Sequence, residues 1–261
     1  MQTVSVVGSD AEPAASRVAN AVEGRVGIVR VGAAADGGRA LARAATEYVV
    51  DDGWHASGEE LSVGDAIDRL APDHEYGLVV GAPGARLPTV VVGETTDTVE
   101  EPLVSADGIA EFDAAAAVEA IDGTEPYETL ESLVASVKRS EAATYSGAIA
   151  TFTGRVRAKE DEADERTRYL EFEKYDAVAG TRMETIATEL EDREGVLDVR
   201  LHHRTGEIPD GEDIVFVVVL AGHREEAFRA AKDGIDRLKE EVPLFKKEVT
   251  DEETFWVHKR E

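Results

Sequence analysis

Lys239 and Lys246 stand seven residues apart, on either side of Pro243, in the segment DRLKEEVPLFKKE (Asp236–Glu248). Two ammonium groups brought close disfavour each other's charge, and a desolvated lysine can act as nucleophile or general base near neutral pH. Upstream, His223-Arg224 falls where an apolar strand pattern gives way to a helical one. Free backbone N–H groups at such a junction favour anions, and arginine adds a bidentate fork for phosphate or carboxylate. Arg155 and Arg157 alternate with Val156 on a strand pattern and so share a face. His202-His203-Arg204 could be mistaken for a metal site, but adjacent strand residues point to opposite faces, so no shared metal is expected. Taken singly, each of these groups could be an ordinary surface charge or a helix-start pair. Together they are cations on different elements with no obvious carboxylate partners in the sequence. That set implies a pocket for a phosphorylated or carboxylated small molecule.

The background sharpens the contrast. Formal net charge is -27, from 28 Lys+Arg against 55 Asp+Glu. Residues 223–261 hold 9 of the cations and 11 of the acids, a net of -2, and the preceding 222 residues carry the remaining -25. An acidic excess spread along the whole chain reads as a solvated surface adapted to high salt. Binding to nucleic acid through charge is disfavoured, because phosphate backbones need clustered cations. With no cysteine, the chain has no disulfide, no Cys-ligated zinc, no iron–sulfur cluster and no thiol nucleophile. No apolar run reaches the roughly 18 residues of a membrane span. The opening MQTVSVVGSD has neither a basic start nor a signal-type apolar core. A cytoplasmic protein is expected.

The elements that must position these groups fall into two parts. Strand patterns at 3–8, 25–32, 77–81 and 89–93 alternate with helical spacing at 14–22, 38–50 and 63–70. That alternation predicts an α/β domain with a mostly parallel sheet over residues 1–122. An alanine-rich helix at 113–121 and the polar DGTEP (Asp122–Pro126) mark a boundary. An α+β domain is expected over 127–261. Its predicted order is a helix at 127–139, a strand at 146–157, a charged loop at 158–166, a strand at 168–175 and a helix at 181–193. Strands at 197–203 and 214–221 then flank the turn GEIPDGE, before a helix beginning near His223. In that helix Ala227, Phe228, Ala231, Ile235 and Leu238 form an apolar stripe, with Lys239 just beyond it. Pro243 ends the helix, which leaves Lys246 on a loop or strand free to turn back towards Lys239.

Six blocks occur in order: TFTGRVR (Thr151–Arg157), LEFEKYDAVAG (Leu170–Gly180), HHRTGEIPDGE (His202–Glu212), AGHREEAF (Ala221–Phe228), DRLKEEVPLFKKE and FWVHKR (Phe255–Arg260). The set resembles the catalytic large subunit of molybdopterin synthase over roughly Leu130–Arg260. That resemblance implies an α/β-hammerhead fold and a sulfurtransferase. Such an enzyme inserts two sulfurs into cyclic pyranopterin monophosphate to form the molybdopterin dithiolene. The sulfur donor is a small ubiquitin-like carrier protein bearing a C-terminal thiocarboxylate, so a chain without cysteine need not carry the sulfur. The resemblance also implies a homodimer of large subunits within a heterotetramer, with no metal and no cofactor. Residue by residue, Lys239 and Lys246 match the catalytic lysines, His223 and Arg224 the phosphate-pocket pair, and Phe152 and Arg157 pocket positions on the first strand. Arg260 matches a terminal arginine that reaches the neighbouring subunit. Departures are Ile235 and Val178 where methionine is frequent, Phe245 where tryptophan is usual, and the acidic loop Ala158–Arg166 where Asn and Gly are usual.

The first half is more weakly similar to the adapter protein of molybdopterin guanine dinucleotide synthesis, a P-loop-type fold. VSVVG and AIDRLAPDHEYGLVVGAPGARLPTVVVG (Ala66–Gly93) carry that likeness. Gly8 is followed by SDAEPAAS, without the Gly-Lys-Ser/Thr that cradles phosphate. A degenerate scaffold domain is therefore expected. The alternative for the whole chain is a non-catalytic docking protein for the carrier and later assembly enzymes; retention of both lysines with His223 and Arg224 favours the enzyme.

Overall fold

The computed structural model describes residues 1–32, 47–50, 52, 54–57, 61–162, 164–174, 176–250 and 254–257. The chain divides into two compact units, Met1–Glu128 and Thr129–Glu261.

The first unit begins with β1 (Gln2–Val7), α1 (Ala11–Ala21), β2 (Val26–Arg30), β3 (Glu47–Val50) and β4 (Trp54–Ser57). It continues through α2 (Val63–Leu70), β5 (Tyr76–Val80), β6 (Thr89–Val92), β7 (Val104–Ala106) and α3 (Ala114–Asp122). Five strands form a sheet in the order β2-β5-β1-β6-β7, every pairing parallel. The β-branched runs VSVV, LVV and TVVV are continuous rather than alternating because both faces are covered. Val4, Val6, Leu78 and Val90 pack with Ala14 and Val18 of α1 and Ile121 of α3, while Val79 meets Ile67 of α2 on the other side. Ser62 and Asp65 close a capping box at the start of α2.

The expected helix at 38–50 is corrected at its end. Glu47–Val50 is a strand paired antiparallel with Trp54–Ser57, and residues 38–46 lie outside the described residues. Tyr48, Val49 and Val50 favour extended backbone, and Val50 stands opposite Trp54 across the pair.

The turn between β1 and α1 is occupied by its own chain. Ser9 N–H donates to Glu94 O at 2.8 Å and Asp10 N–H to Val92 O at 3.1 Å. Asp10 Oδ2 accepts from Ile109 N–H at 2.9 Å. Gly8 has φ +107, and a Cβ there would stand 2.2 Å from Val92 O, so only glycine lets the strands approach.

The second unit runs α4 (Leu130–Arg139), β8 (Ala148–Arg155), β9 (Thr167–Lys174), α5 (Asp176–Glu191), β10 (Val196–His203), β11 (Gly206–Pro209), β12 (Asp213–Ala221), α6 (Arg224–Glu241), β13 (Leu244–Thr250) and β14 (Thr254–Val257). Two antiparallel sheets form, β10-β12-β8 and β11-β9-β13-β14. The run DIVFVVVLA makes β12 the central strand of the first sheet. Val215, Val217 and Val219 face the core shared with α5 and α6, whereas Phe216, Val218 and Leu220 face Leu133 and Val137 of α4.

Three sequence expectations shift. The helix expected from Tyr127 starts at Leu130, where Thr129 and Ser132 form the capping box. The helix expected from Thr181 already runs from Asp176. GEIPDGE is not only a turn: Gly206–Pro209 pairs with β9, which buries Ile208 completely.

Candidate active site

Lys239 sits in the last turn of α6, and Val242 caps that helix with extended backbone. The chain then reverses through Pro243 into β13, where alternation sets the fate of the double lysine. Lys246 stands opposite Phe172 of β9, and Lys247 opposite Glu171. Lys246 therefore faces inward, while Lys247 Nζ lies 2.7 Å from Glu171 on the other face. That hydrogen bond with the Glu171 carboxylate raises the Lys247 ammonium above its ordinary pKa.

Lys239, Lys246 and Phe152 line one cavity of about 300 Å³ with Gly154, Arg155, Phe172 and His203. Ile214, Val215, Ile235, Leu238 and Leu244 supply its apolar surface. Lys239 Nζ lies 6.0 Å from the centroid of the Phe152 ring, and among the described residues it has no carboxylate partner. Lys246 Nζ lies 3.6 Å from Glu248. Gly154 holds the wall close, since a Cβ there would stand 2.6 Å from Val215 Cγ1.

The expectation that these cations lack carboxylate partners is therefore corrected. Glu248 pairs with Lys246, Glu160 with Arg157 and Asp213 with Arg155. Cross-strand register and short turns set these pairs, and the sequence alone does not reveal either.

The structure does not bring all the sequence-predicted residues together. His223 is the N-cap of α6 and Arg224 its first residue; they line a separate cleft of about 520 Å³ with Gly147, Gly222, Glu225 and Glu226. Arg224 and Lys239 lie fifteen residues apart on one helix, which at 1.5 Å per residue is roughly 22 Å. Among the described residues, neither cavity contains both. Arg157 follows the end of β8, with a side chain 68% exposed and Nη1 3.3 Å from Glu160 Oε1. Arg260 lies outside the described residues.

Two lining residues are named in the sequence reading without a role matched to the family. His203 is buried, its ring edge-on to Phe172 with centroids 4.7 Å apart, and its Nδ1 is 2.7 Å from Arg204 O. His202 stacks with Phe216 on the opposite face. The alternation that separates the two histidines was legible; that His203 faces a cavity was not. Arg155 is the other. Strict alternation puts it opposite Phe152, but β12 carries an extra residue here. Asp213 pairs with Arg155 and Val215 with Gly154, leaving Ile214 unmatched. Such a bulge re-aims neighbouring side chains.

The arrangement can hold an anion against lysines beside an apolar, aromatic wall. Among the described residues no His, Asp and Glu cluster could hold a metal ion, and no helix is long and apolar enough to cross a membrane.

The family model described as MoaE protein matches residues 124–241. A relative from Haloferax volcanii, described as a probable molybdopterin synthase, is 47% identical over 273 aligned residues covering all of both chains. A molybdopterin synthase catalytic subunit from Pyrococcus abyssi is 39% identical over 128 residues, covering 49% of this chain and 82% of its own. The X-ray crystal structure of molybdopterin synthase from Staphylococcus aureus aligns over 52% of this chain and 93% of its own, at 31% identity and a TM-score of 0.45.

Proposed function

This chain belongs to the molybdopterin synthase family, and from that premise we propose how its second unit performs the sulfur transfer that forms molybdopterin. It acts as an enzyme of molybdenum cofactor biosynthesis. The substrate is cyclic pyranopterin monophosphate, and each sulfur arrives as the C-terminal thiocarboxylate of a small carrier protein. Lys239 acts at the thiocarboxylate and the pterin as nucleophile or proton-transfer group. Lys246 holds the substrate and stabilises negative charge as it develops. Phe152 packs beside the reacting groups, while Arg157, His223, Arg224 and Arg260 belong to the substrate-binding set. The observation that carries the reading is the convergence of Lys239, from a helix end, and Lys246, from the following strand, on one cavity beside Phe152.

The separation of Arg224 from Lys239 supports a homodimer, in which one copy supplies the lysines and its partner the His223-Arg224 cleft. With two carriers this gives a heterotetramer. The second unit is read as an α/β hammerhead and the first as a P-loop-like scaffold. The internal hydrogen bonds of Ser9 and Asp10 support a first unit without nucleotide. A cytoplasmic protein working in high salt fits the acidic excess.

The test is single-turnover conversion of cyclic pyranopterin monophosphate by the purified chain and a thiocarboxylated carrier in high salt. Product from wild type and none from Lys239→Ala is expected. Carrier binding without product from wild type favours a docking protein instead. Equal product from both proteins moves the chemistry away from Lys239.

A further inference from the structure

We propose that Arg155 is an anion-binding residue of the Lys239 cavity, joining the His223-Arg224 pair of a partner copy on the phosphate of the substrate; that substrate and that pairing rest on the sulfur-transfer reading above. Arg155 lines the cavity with Phe152, Lys239 and Lys246. Its guanidinium is held from one side. Nε lies 3.1 Å from Asp213 Oδ1, and Nη2 donates to the Gly211 carbonyl. A guanidinium has five N–H donors in a fixed plane. Among the described residues these are its only partners, so both Nη1 hydrogens and one on Nη2 are left for a ligand. Adjacent N–H groups on two nitrogens form the fork that matches two oxygens of a phosphate.

The support behind that fork is braced in turn. Arg204 Nη1 donates to Asp213 O at 2.9 Å and to Glu212 Oε2 at 3.1 Å. The same residue's carbonyl meets His203 Nδ1, so the cavity wall and the brace belong to one strand end. The arginine side chain is 65% exposed, so it stands at the cavity mouth, where an incoming phosphate group meets it. In a chain of net charge -27, a phosphate needs a local cation to offset general repulsion.

The experiment titrates inorganic phosphate into wild type, Arg155→Ala, Arg155→Lys and Lys232→Ala by calorimetry at fixed salt. The same proteins are then assayed for turnover with the thiocarboxylated carrier. Lys232 is a charge control, because it pairs with Asp236 and its side chain is 74% exposed. A phosphate contact is kept from ground state to transition state, so its loss raises KM and spares kcat. For Arg155→Ala we expect phosphate affinity to fall and KM to rise about 10- to 100-fold, with kcat changed less than about threefold. Arg155→Lys should recover part of the affinity, since it keeps the charge and loses the fork. Lys232→Ala should stay within about twofold. Wild-type affinity in Arg155→Ala, an equal loss in Lys232→Ala, or no phosphate binding by wild type would each overturn the proposal. Arg155-dependent phosphate binding without product from wild type would uphold Arg155 and sink the sulfur-transfer reading.

Discussion

Lys239→Ala should uncouple activity from stability, and the structure sets both magnitudes. Lys239 is exposed, and its one described contact is the Phe152 ring at 6.0 Å, an edge-of-range cation–π pair worth about 0.5 kcal/mol. Its charge in the last turn of α6 favours the helix by a further 0.3–1 kcal/mol, roughly. Alanine returns a few tenths through helix propensity. The net cost is about 1 kcal/mol, or about 3 °C in Tm for a unit of this size. A positioned proton-transfer group, by contrast, accounts for about 10²- to 10⁴-fold in rate, or roughly 3–5 kcal/mol of barrier. Circular-dichroism melts and single-turnover rates in the same high-salt buffer measure the two effects. Lys239→Arg sharpens the test, because arginine keeps the charge and does not give up its proton. It should melt like wild type and remain slow. The reasoning fails if Lys239→Ala turns over within about tenfold of wild type, if Lys239→Arg restores the rate, or if stability falls by more than about 2 kcal/mol, which would make Lys239 a packing residue.

Three further outcomes follow from the geometry. Mixing inactive Lys239→Ala with inactive Arg224→Ala should restore about a quarter of wild-type turnover, because random dimers leave one intact composite site in half the molecules; no recovery after exchange would place both residues' work within one chain. Gly154→Ala should cost about 1–3 kcal/mol in urea unfolding, since its Cβ would meet Val215 Cγ1 at 2.6 Å; an unchanged midpoint would show that the strands can separate. Glu241 accepts from Arg237 and from Arg182, tying α5 to α6, and these contacts, Arg237 foremost, hold its carboxyl below the ordinary range. The unfolded chain then binds the proton more readily, so this contribution is full above the ordinary glutamate pKa of about 4.5 and fades as pH falls through the lower folded value. Glu241→Gln should flatten the acid limb of a stability–pH profile and leave the alkaline limb unchanged.

Much of the framework was readable from residue order because it depends on local periodicity. The β-branched runs at 3–8, 77–81 and 89–93 read as buried strands, and their alternation with helices pointed to mostly parallel pairing. Pro243 ended α6, and seven residues sufficed for Lys246 to return beside Lys239. Short elements escaped. Glu47–Val50 followed an alanine-rich stretch, and Gly206–Pro209 looked like a turn, because a strand of four residues carries too little pattern to outweigh its flanks. Pairing with β4 and β9 decided those segments.

Residue types and spacing determined which groups could do chemistry: two lysines across a proline, a His-Arg pair at a helix start and arginines along a strand. Tertiary structure decided which of them meet. The rigid length of α6 keeps Arg224 about 22 Å from Lys239. The unmatched Ile214 in β12 lies beside Arg155, which reaches the cavity, and β-sheet register sends Lys246 inward while tying Lys247 to Glu171. Periodicity is a property of neighbours along the chain; register, bulges and helix length in space depend on partners far from it.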